Sequence, residues 1–115
     1  METRAEARFV RVSPQKARLV VDLIRGRRAG DAITILRSTN KRVAPTVEKV
    51  LRSAIANATR PPYNADADRL VVHRAVVNEG PRTKLIRPAP MGRAFRYQRR
   101  TSHIVIEVEE QGAGD

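Results

Sequence analysis

Cysteine and tryptophan are missing from this chain, and aromatic residues are scarce, with two phenylalanines and two tyrosines. Without cysteine there can be no disulfide, no thiolate metal site and no cysteine nucleophile. The only histidines, His73 and His103, fall in or beside strand-like segments, and neither has a partner at metal-ligand spacing. Asp66 and Asp68 pair two carboxylates in a polar loop, where solvation is a far commoner role than acid–base chemistry. Gly26 and Gly30 do not build a phosphate-cradling loop, and Ser13 is better placed to cap a helix than to attack a substrate. No uninterrupted apolar run approaches a membrane-spanning length, and Met1 is not followed by the apolar core of a signal peptide. The reading is of a non-enzyme that needs no cofactor or metal and is expected to be soluble and cytoplasmic.

What is abundant is positive charge. The chain has 115 residues, enough for a single domain, and 23 Lys and Arg against 12 Asp and Glu, a net charge of +11. A small domain so charged repels itself unless a polyanion neutralises it. Of the 23 cations, 19 are arginines and four are lysines. The guanidinium fork binds phosphate through two parallel hydrogen bonds and stacks on bases, whereas an ammonium is a compact point charge. The partner class implied is nucleic acid.

Hydrophobic periodicity predicts an α+β fold, a small antiparallel sheet of about three strands packed against three helices. Residues 5–12 alternate loosely as a strand, with Ala7 and Phe9 on one face and Arg8, Val10 and Val12 on the other. Ser13 and Pro14 read as an N-cap and first helical position, followed by Ala17, Val20, Val21 and Ile24 at helical spacing, with Gly26 as the stop. Arg18 and Asp22 sit four apart on another face of that helix. A short helix over 30–37 follows, burying Ala32, Ile35 and Leu36. Val43, Val47, Val50, Leu51, Ala54, Ile55 and Ala58 then form one apolar stripe, the best-patterned helix of the chain. Valine-rich 70–78 and alternating 104–108 read as strands, the latter with Ile104, Ile106 and Val108 inward and Val105 and Glu107 outward.

Between those last strands, residues 80–103 make a connection far longer than usual. It carries Arg82, Lys84, Arg87, Arg93, Arg96, Arg99 and Arg100 and no carboxylate. One reading is a disordered basic loop. Ala89-Pro90-Met91-Gly92 fits a type I turn near its midpoint, which favours a long protruding hairpin whose arms continue the core strands outward. Arms of about ten residues would reach on the order of 30 Å, with interruptions at Pro81, Pro88 and Pro90. Phe95 and Tyr97, interleaved with arginines, either stack on unpaired bases or brace one arm against the other.

Several runs resemble the bacterial large-subunit ribosomal protein L-twenty-two family. They are Gly80-Pro81, then Gly92-Arg93-Ala94, then Arg99-Arg100-Thr101-Ser102-His103-Ile104 at the foot of the hairpin. Val12-Ser13-Pro14 through Lys16, Asp22-Leu23-Ile24-Arg25-Gly26 and the stretch 53–58 add to them in order and spacing, so the resemblance covers nearly the whole chain. It implies a small α+β domain with a long hairpin that binds large-subunit rRNA during assembly, with the hairpin lining the polypeptide exit tunnel. It also implies neighbouring ribosomal proteins and the nascent polypeptide as partners, and a hairpin tip at Pro90, Met91, Gly92, Arg93 and Ala94. Family members often place a basic and then a small residue where Ala89 and Pro90 stand, so this tip is less charged and stiffer.

The expectation is therefore one rRNA-binding domain over 1–115 with a basic hairpin at 80–103, lodged in the large ribosomal subunit. The hairpin cations and His103 form one RNA-binding set, and Arg11, Lys16, Arg25, Arg27 and Arg28 supply a second basic surface. Neither a homo-oligomer nor a membrane partner is expected. A free-standing nucleic-acid regulator would need a groove-reading helix or a dimer stripe, and neither is evident. A membrane-active cationic protein would need a helix with a basic and a broad apolar face, but the apolar stripes here look like core.

Overall fold

In a computed structural model the structure describes residues 2–61, 63–80, 83–88, 94–99 and 101–111, with the backbone alone at 2, 83–88 and 94–99. Among these residues the order is β1 (Glu2–Val10), α1 (Pro14–Val21), α2 (Ala29–Ser38), α3 (Ala44–Thr59), a 3-10 turn (Ala67–Arg69), β2 (Leu70–Glu79), β3 (Thr83–Pro88), β4 (Ala94–Arg99) and β5 (Ser102–Glu110). The fold is α+β. β1, β5 and β2 form a three-stranded antiparallel sheet with β5 central, and the helices cover one of its faces.

Each helix follows from its local chemistry. The Ser13 hydroxyl caps α1 by accepting from the amide of Lys16, and Pro14 opens the helix where its missing N–H costs nothing. α1 ends at Val21, earlier than Gly26 suggests, because Leu23 and Ile24 bond back to the carbonyls of Val20 and Val21 in tight turns. Those turns still bury Ile24 completely. Gly26 takes φ +80, a left-handed conformation open to glycine, and its amide reaches the Val72 carbonyl at 2.9 Å. Along α3 the stripe Val47, Val50, Leu51, Ala54 and Ala58 is buried as its spacing predicts. It packs against β1 and β5, and shares one core with Ile104, Ile106 and Val108 of β5 and Val72 and Ala75 of β2.

Two strand readings are corrected. Val105 was expected outward; it lies on the helix-free face, yet only 4% of it is exposed. Its strand is central, and it is paired with Glu6 on one side and Val76 on the other, so neighbouring side chains cover it. In β1, strict alternation fails after Ala7. Ala7 pairs with Ile104 and Val10 with Ser102, so Arg8 and Phe9 together face His103 across a bulge. Phe9 is consequently exposed, while Val10 and Val12 pack against the core.

β3 and β4 form a separate antiparallel ribbon in which Thr83 pairs with Arg99, Ile86 with Arg96, Arg87 with Phe95 and Pro88 with Ala94. It continues the β2–β5 pair through the Gly80 amide, which donates to the Thr101 carbonyl at 2.9 Å. The molecule measures 70 × 28 × 19 Å, as a ribbon standing off a small body requires. The expected turn at 89–92 lies outside the described residues.

Candidate nucleic-acid interface

Among the described residues, two groups of cations differ in whether a carboxylate answers them. On the helix-free sheet face, Arg4 and Arg8 reach Glu6 at 3.2 and 3.3 Å. Burial pushes the Glu6 carboxyl up, but the hydrogen bonds and charge of these two arginines bring it below its ordinary value. Arg37 and Arg52 converge on Glu48 in the same way, and Arg69 meets Glu110 at 3.4 Å. These charges are internally matched.

The second population surrounds a groove of about 700 Å³ between the end of β1, the start of α1 and the turn before α3. Arg11, Lys16, Lys41 and Arg42 line it, together with Ser13, Leu19 and Thr46. All four cations are exposed, and among the described residues none of them pairs with a carboxylate. The amino ends of α1 and α3 both open here, and neither has an acidic residue in its first turn. Cations near the positive end of a helix dipole oppose the usual preference. An anion in the groove would satisfy the helix ends and the side chains together.

Arg11 and Lys16 were expected as RNA contacts, and the fold brings them into one groove. Lys41 and Arg42 were missed because they fall between the connector at 38–40 and the apolar stripe that begins at Val43. The available signal was a basic pair just ahead of the strongest apolar stripe, where an acidic residue is usual. Arg27 and Arg28 are exposed on the turn before α2, where the Arg27 carbonyl accepts from Val72 and Arg28 bridges to Val71. Arg25 is exposed in part but already committed. Its guanidinium donates to the Ala75 carbonyl at 2.6 and 3.2 Å and meets Asp22 at 2.8 Å. Asp22 thus pairs with Arg25, and Arg18 instead donates to the Val77 carbonyl at 3.0 Å.

The hairpin residues divide by strand. Lys84 and Arg87 lie on β3, and Ala94, Arg96 and Arg99 lie on β4. Arg82, Pro90, Met91, Gly92, Arg93 and Arg100 lie outside the described residues. At the foot of the ribbon, the run of residues 101–103 proves to be a seam. The Thr101 carbonyl takes the Gly80 amide, and the Ser102 hydroxyl, fully buried, donates to the Val12 carbonyl at 2.7 Å. His103 accepts from the Phe9 amide at 3.1 Å through Nδ1. Among the described residues no group of acidic or histidine side chains could hold a metal ion, and no helix is long and apolar enough to cross a membrane.

The profile of the family described as "Ribosomal protein L22p/L17e" matches residues 5–109. The chain belongs to that family. It is 70% identical over 113 residues to "Large ribosomal subunit protein uL22" of Solibacter usitatus (strain Ellin6076), covering 98% of this chain and all of the relative. The protein of the same name from Koribacter versatilis (strain Ellin345) is 56% identical, over 96% of this chain and 69% of its own length. L22p/L17e proteins are structural rather than enzymatic.

Proposed function

We propose that this protein, a structural constituent of the large ribosomal subunit and so of the cytoplasm, acts by binding large-subunit rRNA during assembly. The observation that carries the reading is the groove of Arg11, Lys16, Lys41 and Arg42, four exposed cations beside two helix amino ends with no acidic residue in their first turns. Phosphodiesters supply the spaced negative charges this arrangement lacks. The β3–β4 ribbon extends the basic surface away from the sheet, and its tip at residues 90–94 contributes to the wall of the polypeptide exit tunnel, beside the nascent chain. Neighbouring ribosomal proteins complete the surroundings, and the chain acts as a single copy in a single domain over 1–115.

Binding to a large-subunit rRNA fragment, measured across salt concentrations, tests the reading. With five or more phosphate contacts the log–log slope is about −4 or steeper, at roughly −0.7 to −0.9 per contact. Replacing Lys41 and Arg42 by Gln flattens it by about one to two units. A parent slope near zero rejects phosphate neutralisation as the mode of binding.

A further inference from the structure

We infer that Phe9 is a stacking platform for an unpaired nucleobase, a site that deepens the RNA-binding reading above and rests on it. Phe9 adopts φ +57, a left-handed conformation that a residue with a bulky side chain rarely takes. The bulge in β1 imposes it. Two residues, Arg8 and Phe9, oppose the single His103, and the extra residue turns the ring out of the core, leaving 60% of Phe9 exposed. A ring this exposed repays little of the backbone strain through burial. Strain of this kind collects at ligand sites, where the surrounding structure fixes a side chain in advance.

The surroundings do fix it. The Phe9 amide donates to His103 Nδ1, and the two rings meet edge to face with centroids 5.0 Å apart at 89°. His103 is in turn held by the central strand, beside the fully buried Ser102. The ring is therefore oriented from below while its outer surface stays open. Arg11, two residues on, lines the phosphate groove, whereas Arg8 on the other side is already paired with Glu6. A ring two residues from that groove matches a nucleotide, with the base on the aromatic face and the phosphate at Arg11. Only a base splayed out of its helix offers a free face, so the ligand is an unpaired position. A protein partner would be better met by a contiguous apolar patch, and Arg8 and Arg11 lie within two residues of the ring.

The chain contains no tryptophan, so Phe9→Trp installs a single indole at the platform. The full chain carrying it, titrated with large-subunit rRNA, should lose emission as a base stacks on the indole. Phe9→Leu should weaken binding about five- to hundredfold, leave the salt slope unchanged and leave free-chain unfolding unchanged, while Phe9→Tyr should bind like the parent. Phe9→Gly should raise free-chain stability by releasing the strain, yet bind RNA as poorly as Phe9→Leu. Constant emission together with parent-like binding by Phe9→Leu overturns the inference while leaving the proposed function intact. A change in emission that needs added ribosomal proteins, and not RNA, also overturns it in favour of a protein contact. If the parent chain itself fails to bind the rRNA, the proposed function falls and takes this site with it.

Discussion

Gly80 lies so close to Thr101 that a Cβ there would collide with the threonine Oγ1 and sit 3.2 Å from its backbone carbonyl. The contact stands where the sheet passes into the ribbon, and the Gly80 amide bonds to the same Thr101 carbonyl. A side chain at position 80 must push the strands apart. Gly80→Ala should therefore cost about 1–3 kcal/mol, as overpacking does elsewhere. Gly30, within α2, has open space around it, so Gly30→Ala should stabilise by roughly 0.5–1 kcal/mol through helix propensity. Thermal unfolding of the two variants should move in opposite directions. Equal shifts would mean that Gly80 is not under steric constraint.

Arg25, Arg27 and Arg28 are neighbours in sequence but differ in role. Arg25 ties the turn after α1 to the Ala75 carbonyl, whereas Arg27 and Arg28 are exposed with no carboxylate partner among the described residues. Arg25→Gln should lower free-chain stability by about 1 kcal/mol, the usual worth of a hydrogen bond to a charged donor at a partly exposed site, and change the RNA salt slope little. Arg27→Gln and Arg28→Gln should each flatten that slope by about one unit and leave stability unchanged. Chemical denaturation paired with RNA titration separates the cases. A large slope change in Arg25→Gln alone would make it the phosphate contact instead.

Glu48 provides a test by pH. The hydrogen bond from Arg37, aided by the charges of Arg37 and Arg52, outweighs desolvation and holds its carboxyl below the ordinary value of 4.5. A carboxyl with a depressed folded-state value contributes stability that is fully present above about 4.5 and disappears as pH falls through the lower folded value. Glu48→Gln should thus flatten the stability profile in that acid window and become nearly indistinguishable from the parent at its lower end. Parallel profiles for the two chains down to acid pH would show that the ion pairs contribute nothing to folding.

How far residues announce structure differs along this chain for identifiable reasons. The α3 stripe was legible because seven apolar residues keep one helical period, and burial follows that period. Ser13 and Pro14 were legible because their cap chemistry is local. Phe9 was misassigned to the face of Ala7, since a bulge depends on the register of β5, some ninety residues away, and leaves no local mark. Val105 was misassigned because alternation says which face a residue occupies, not whether neighbouring strands cover it. Arg11 and Lys16 were found as cations, but the groove they share with Lys41 and Arg42 exists only once the start of α3 packs beside α1. The charge was visible in the sequence; its pairing required the fold.

The last prediction concerns the division of labour between body and ribbon. Deleting residues 87–96 removes Arg87, Arg93 and Arg96 together with the turn expected at 89–92, but leaves Val47, Leu51, Ile104, Ile106 and Val108 untouched, all buried in the core. Stability of the body comes from that apolar burial, to which a projecting ribbon adds little. The deletion should change free-chain stability by less than about 1 kcal/mol, the scale of surface changes remote from core features. Leu51 is wholly buried on the helical stripe, so Leu51→Ala should leave a cavity and cost about 2–5 kcal/mol. In cells, the deletion chain should still enter large subunits, because Arg99, Arg100 and the groove cations remain, whereas Leu51→Ala should be recovered in them at reduced yield. Thermal unfolding of both chains, with their abundance in purified large subunits, decides the matter. If the deletion unfolds the body as severely as Leu51→Ala, the ribbon belongs to the folding core, and the chain is not divided as its charge pattern suggests.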